Sequence, residues 1–291
     1  MTTFTALTTL SGRGSAEALG EALERLSPEP MGVGVFEIED GSGMWEIGGY
    51  FVERPGTAGL ALLASAFKAR PFVVSEVPDR DWVAHVQRQL PPVDAGRFFV
   101  YGGHDADKVP AGRVALLIEA AMAFGTGHHG TTLGCLLALD RLIKDGSSPR
   151  NVADIGCGTA VLAMAAASVF PCSVLASDID EVAVEVARTN IAANGLQGRV
   201  DCVEATGFEH PDIAARAPFD LIFANILKGP LIDLAPAMSK ATVSGGITIL
   251  SGLLNEQANE IVAVYRENGY NLSRRDEIVD WTTLTLVKTE A

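Results

Sequence analysis

From about residue 100 onward the chain alternates short β-branched runs with apolar segments of helical period, and this alternation constrains its fold more than any other feature. "NVADIG" reads as a strand, "AVLAMAAASVF" as a helix, "SVLASD" as a strand and "EVAVEVARTNIAAN" as a helix. "RVDCVEA" and "FDLIFAN" follow as strands, then the helix "GPLIDLAPAMSKA" and the strand–helix pair "GITILSG" and "NEQANEIVAVYRENG". Strands separated by helices of ten to fifteen residues require crossover connections, and hence an α/β fold with a parallel, doubly wound sheet. The chain then departs from the pattern. "NLSRRDEIVD" and "WTTLTLVK" are successive strands without a helix between them, so the last pair of this seven-stranded sheet is expected to be antiparallel.

Residues 1–78 have a different order. The strand "FTALTTL" precedes the helix "SAEALGEALERL", whose Ala16, Leu19, Ala22 and Leu23 share a face. "VGVFEIE" and "MWEIGGYFV" flank "DGSG" as a hairpin, "AGLALLASAF" is a second helix and "PFVVSEV" a last strand. The order βαββαβ predicts a small α+β domain of ferredoxin-like type. "DWVAHVQRQLPPVDAGRF" carries Pro91 and Pro92 and reads as a connection, which gives three parts: 1–78, a linker over 79–100, and 101–291.

Composition narrows the function classes. Of the 291 residues 48% are hydrophobic, enough for a substantial core. A net charge of −14 argues against gripping nucleic acid through its phosphates, which needs a basic face. Cys135, Cys157, Cys172 and Cys202 are widely spaced, which suits a reducing compartment and gives no metal-ribbon spacing. "MTTFTALTTL" lacks the basic and apolar regions of a signal peptide, and no apolar run reaches the ~20 residues of a membrane span. A cytoplasmic protein without a membrane or nucleic-acid partner is expected.

Chemistry concentrates at the predicted strand ends. "DIGCGTA" (Asp154 to Ala160) joins the first strand of the second part to its first helix, where Gly156 and Gly158 let backbone N–H groups approach a ligand. "ASDID" ends the next strand, and the Asp178 carboxylate there can accept hydrogen bonds from a ribose diol; Asp180 is better placed to cap the following helix. A dinucleotide fingerprint requires a third glycine at the sixth position from Gly156, but Val161 stands there. A sulfonium cofactor has no phosphate and benefits from a nearby acid such as Asp154. "FANILKGPL" ends the fourth strand, and Asn225 either faces a ligand or caps the helix after it. "AFGTGHHGTT" (Ala123 to Thr132) leaves three readings open: a metal site, an acid/base pair in His128 and His129, or a turn around a ligand.

The Asp-led glycine loop, the ribose-type Asp and the antiparallel final strand together resemble class I methyltransferases. "AFGTGHHGTT", "DIGCGTA", "ANILKGPL" and "SGLL" together resemble the bacterial ribosomal protein L11 methyltransferases. The likeness covers nearly all of residues 95–291 and extends more loosely to the N-terminal part. It implies a Rossmann-like methyltransferase domain that uses S-adenosylmethionine, and a ferredoxin-like domain that recognises ribosomal protein L11, whose lysine ε-amines and N-terminal α-amine are methylated. It implies cofactor contacts at Thr132, Gly156, Asp178 and Asn225, with Phe124 and Gly158 lining the same cavity. Asn225 beside the transferred methyl group is the catalytic candidate for orienting the amine. No metal is implied, because two adjacent histidines without a Cys or carboxylate partner make a poor ligand set. Three positions depart from the family pattern: Ala160 for a third glycine, Gly130 for a proline, and Lys228 for a small residue. Lysine methyltransferases of an electron-transfer flavoprotein share similar motifs, and a non-catalytic ribosome-assembly module is the rival of another class.

Overall fold

A computed structural model of the chain describes residues 3–37, 43–77, 92–118 and 129–289. Two compact units result, 1–87 and 88–291. In the first, β1 (Thr3–Ser11), α1 (Arg13–Glu24), β2 (Gly32–Glu37), β3 (Met44–Phe51), α2 (Thr57–Phe67) and β4 (Val73–Val77) follow the expected βαββαβ order. The sheet runs β2-β3-β1-β4 with every pairing antiparallel, the ferredoxin-like arrangement. Helix α1 buries Ala16, Leu19, Gly20 and Leu23, an i, i+3, i+4, i+7 stripe, against Ala6, Leu10, Ile47 and Phe51. Gly20 rather than Ala22 completes that stripe, because a β-carbon at Gly20 would come within 2.7 Å of the Val35 side chain.

The second unit is built on seven strands: β8 (Asn151–Ile155), β9 (Ser173–Asp178), β10 (Val200–Glu204), β11 (Phe219–Asn225), β12 (Thr242–Leu254), β13 (Tyr270–Ile278) and β14 (Trp281–Lys288). Their order is β10-β9-β8-β11-β12-β14-β13. β8 to β12 are mutually parallel, and β14 runs antiparallel to both of its neighbours, as the helix-free ending predicts. The winding reverses between β8 and β11, so a crevice opens at their carboxyl ends. α3 (His129–Lys144), α4 (Val161–Val169) and α5 (Glu181–Ala193) belong with one apolar core. α7 (Lys228–Ala241) and α8 (Ala258–Glu267) bury their apolar residues in the other.

The expected connection over 79–100 differs in its second half. β5 (Val93–Ala95) and β6 (Phe98–Tyr101) form a hairpin, and β7 (Val114–Leu117) pairs parallel with β6. Phe98, Val100 and Leu116 of this small sheet are buried with Ala163 and Met164 of α4, so residues 92–100 are part of the second unit's core. α4 shows why. Val161 to Ala167 are all buried, so the helix is apolar all round and needs cover on its outer face, which β7 provides. A short helix, α6 (Pro211–Arg216), also lies before β11, with His210 as its cap and Pro211 in its first turn. No helix among the described residues is long and apolar enough to cross a membrane.

Candidate active site

The crevice at the strand reversal holds a cavity of about 220 Å³. Its walls come from β8 and the loop after it, the first turn of α3, and the segment joining β11 to α7. Thr132, Gly156, Gly158 and Asn225, all singled out in the sequence, line it together with Asp154. Asp178 stands one hydrogen bond away. Phe124 and His128 lie outside the described residues.

The glycine loop gets its shape from β9. The Gly156 and Cys157 N–H groups both donate to the Ser177 carbonyl, at 2.8 and 2.9 Å. Gly156 has φ +71°, and a side chain there would overlap Ile226 Cγ2. Gly158, at φ +52°, differs, because a β-carbon built on it meets nothing within 4 Å. That empty space faces the cavity, so the backbone at Gly158 is open to a ligand. Its N–H donates to Asp178 Oδ2 at 2.8 Å, and Asp178 Oδ1 accepts from the Asp180 N–H at 3.1 Å. Each oxygen keeps acceptor capacity for a hydroxyl. Asp180 itself caps α5 through the Val182 N–H at 2.9 Å, which leaves Asp178 free of that job.

Ala160 ends the loop in the left-handed region, at φ 60°, and it makes no side-chain cap for α4. Asp154 fills that role from β8, accepting the Ala163 N–H at 3.0 Å. The Asp154 side chain is buried. Burial raises its pKa to about 7 against the lowering effect of the Ala163 N–H, and the Asp178 charge adds to the rise. Cys157 also lines the cavity. Its contact with Cys202 (3.9 Å between sulfurs) and its burial hold the thiol well above the usual range, so it stays protonated.

Asn225 ends β11, and the structure decides between its two readings. α7 starts at Lys228 with Leu227 as its cap residue and no side-chain cap bond, so Asn225 does not cap it. Among the described residues the Asn225 side chain has no hydrogen-bond partner, and it lines the cavity. Sequence reasoning passed over the residue that aims it, Gly252. This glycine sits in the bulge of β12 between Leu250 and Leu253, at φ +84°, and a side chain there would overlap the Ile226 carbonyl. A glycine inside a strand pattern was the available signal. Lys228, on the far side of Leu227, pairs with Glu260 at 3.0 Å.

On the α3 side, Thr131 and Thr132 are buried in the first turn. Gly130 lies against Trp281: a β-carbon would sit 3.0 Å from Cδ1. A side chain at this position would press on the Trp281 ring.

A family model described as "Ribosomal protein L11 methyltransferase (PrmA)" matches residues 42–289. The chain belongs to that family. Among curated members, the L11 methyltransferase of Rhodopseudomonas palustris (strain BisB5) is 44% identical over 283 residues, which span 96% of this chain and 94% of the relative. That of Bradyrhizobium diazoefficiens is 45% identical over 260 residues, 88% of this chain and 87% of the relative. The crystal structure of a ribosomal protein L11 methylase from Lactobacillus delbrueckii subsp. bulgaricus superposes with a TM-score of 0.60 at 25% identity, covering 69% of this chain and 99% of that one. L11 methyltransferase membership agrees with the sheet order and with the antiparallel β14.

Proposed function

We propose that this chain transfers methyl groups from S-adenosylmethionine to lysine ε-amines and the N-terminal α-amine of ribosomal protein L11, in the cytoplasm. One observation carries the reading: in a chain of this family, Asn225, whose side chain has no hydrogen-bond partner among the described residues, and the open Gly158 backbone line the same cavity at the strand reversal.

The donor set fits this cofactor. Gly156 and Gly158 leave room at the loop, the Asp178 carboxylate offers acceptors for the ribose hydroxyls, and Thr132 closes the cavity from α3. Asp154 supplies a carboxylate toward a cation and away from water. When bound, the cofactor supplies a methyl carbon already activated by a positive sulfur. The protein's own residues are left with alignment and desolvation. A free lysine amine is protonated below a pKa of about 10.4 and must lose that proton before it attacks. The apolar part of the wall, Val161, Leu162 and Ile226, disfavours the ammonium form of an amine that packs against it. Asn225 orients the resulting neutral amine through its side-chain oxygen, and the released proton passes to solvent water, so no separate protein base is required.

Recognition of the protein substrate is assigned to the first unit. Its support is the exposed apolar surface there, with Met31, Leu62 and Val73 largely uncovered and Phe36 partly so.

The test is intact-mass analysis of purified L11 incubated with enzyme and S-adenosylmethionine. The expected result is a ladder of added CH₂ masses that is lost in Asp178→Ala and in Asn225→Ala. For Asp178→Ala the loss should be recovered in part at high cofactor concentration; for Asn225→Ala it should not. An unchanged L11 mass with wild-type enzyme overturns the substrate assignment.

A further inference from the structure

We propose that the tip of the β13–β14 hairpin is a contact surface for the amine-bearing protein substrate, with Val279 and Asp280 as its contact residues. This rests on the reading above that the acceptor is a protein.

The first observation is an anomaly of backbone and exposure. Ile278 pairs with Trp281 across a two-residue turn, and Val279 holds φ 54° there. Such turns favour Gly, Asn or Asp at a positive-φ position, and a β-branched residue is among the least suited to it. Burial does not compensate, since Val279 is 85% exposed. A strained residue whose side chain touches no core is kept at a cost to the fold, and contact sites are where such costs persist.

The second observation is location. Asn255, three residues past Gly252, donates from its side chain to the Val279 carbonyl at 2.8 Å and from its backbone to the Asp280 carbonyl at 2.9 Å. On the other side, a β-carbon at Gly130 would lie 3.5 Å from the Ile278 carbonyl oxygen. The tip is thus fixed between the bulge that aims Asn225 and the helix turn that carries Thr131 and Thr132. Through Asn255 it is tied to the end of the strand whose Gly252 lines the cavity, and through Ile278 it approaches the helix turn whose Thr131 and Thr132 line it too. Leu227, 66% exposed, lines that same cavity from α7's start.

The third observation is charge. Asp280 is exposed and its carboxylate has no partner among the described residues; the exposed Glu256 follows Asn255 directly. Aliphatic surface beside two carboxylates that have no partner among the described residues complements a lysine side chain, with its apolar stem and cationic head. In a chain of net charge −14 it fits an acceptor whose surface amines are cationic until one is desolvated for reaction.

The experiment compares wild type, Val279→Gly and Asp280→Asn on purified L11 and on a short lysine-containing peptide. Val279→Gly should melt about 2 °C higher, because the turn strain is relieved. Both variants should raise KM for L11 about fivefold, while kcat, cofactor Kd and peptide KM stay unchanged. For Asp280→Asn the L11 KM should also lose much of its salt dependence. An unchanged L11 KM in both variants overturns the proposal, as does an equal rise for the peptide, which would place the effect inside the cavity. Should Val279→Gly melt lower, Asp280→Asn decides, since it leaves the backbone alone. If wild-type enzyme transfers nothing to L11, the proposed function fails; the tip is then judged by calorimetry of L11 against the same three proteins, where equal affinities overturn it.

Discussion

Gly158 in the parallel half of the seven-stranded sheet and the α3 glycines at its antiparallel end act in opposite ways. At the tip of β8, Gly158 holds space open, with nothing within 4 Å of where its β-carbon would be. At the antiparallel end, glycine removes space. A side chain on Gly134 of α3 would overlap Thr283 Oγ1 of β14, and Gly130, one turn earlier, lies against Trp281. The glycines four apart let α3 settle directly on β14, with Thr131 and Thr132 between them turned to the cavity. Ligand contact is thus offered by backbone in one half, while side-chain packing in the other half sets where the opposing wall stands. A further anchor holds the far end of α3. The buried Asp140 takes Arg97 at 2.5 Å and Lys144 at 2.7 Å, and although burial works against its charge, these bonds hold its carboxyl below the ordinary range.

The comparison breaks most severely where the two halves meet, at Gly252. Gly252→Ala forces a side chain into the Ile226 backbone at φ +84°, combining overpacking with left-handed strain. A loss of about 3 kcal/mol of stability is expected, read by denaturant unfolding. Cofactor binding should fall with it, because the Asn225–Ile226 peptide has to move. A variant as stable as wild type would mean that β12 relaxes and that Asn225 is aimed by something else.

Gly134→Ala sharpens the comparison at smaller cost. Its methyl group pushes α3 off β14, displacing Thr132 while the glycine loop stays in place. Cofactor Kd should rise about tenfold, with kcat at saturating cofactor nearly unchanged. Thr283→Ala removes the clashing oxygen, so the double variant should regain most of the affinity that the single one loses. Ser251 Oγ loses its 3.1 Å contact with Thr283 in both Thr283→Ala proteins, which makes Thr283→Ala alone the proper reference. Additive losses would show that the seating of α3 does not set the cavity.

What was legible in the sequence divides along the same line. The βα alternation placed Gly156, Gly158, Asp178 and Asn225 at strand ends, because a parallel sheet puts every such end on one edge, whatever packs behind it. Positions set by tertiary approach were hidden. The partners of Gly134 and Gly252, Thr283 and Ile226, are distant along the chain, so even the signal of a glycine inside a strand pattern could not say what Gly252 makes room for. The β5–β7 sheet escaped because its strands are only three or four residues long, and two of them stand in a stretch whose prolines read as a connection. The all-apolar α4 was the one sign that something had to cover it.

The smallest expected effect concerns charge inside the parallel half. Asp154 is raised from an ordinary 3.8 to about 7, chiefly by burial. Between those values the folded chain keeps a proton that the unfolded chain has released, so this group's contribution to stability falls as pH rises from about 4 to about 7 and levels off above. A cationic ligand acts in the other direction. Bringing a positive sulfur or ammonium beside the carboxylate favours the ionised form, so binding releases a proton below pH 7 or so and affinity rises with pH. Calorimetry of S-adenosylmethionine should give about a fivefold tighter Kd at roughly pH 8 than at roughly pH 6, with proton release visible as a dependence on buffer ionisation enthalpy. Asp154→Asn keeps an oxygen for the Ala163 N–H and removes the titration, so its Kd should be flat over that range and its stability should fall less than that of wild type as pH rises from about 4 to about 7. A pH-dependent Kd that survives in Asp154→Asn would move the titrating group elsewhere in the cavity and leave Asp154 with only its role at the start of α4.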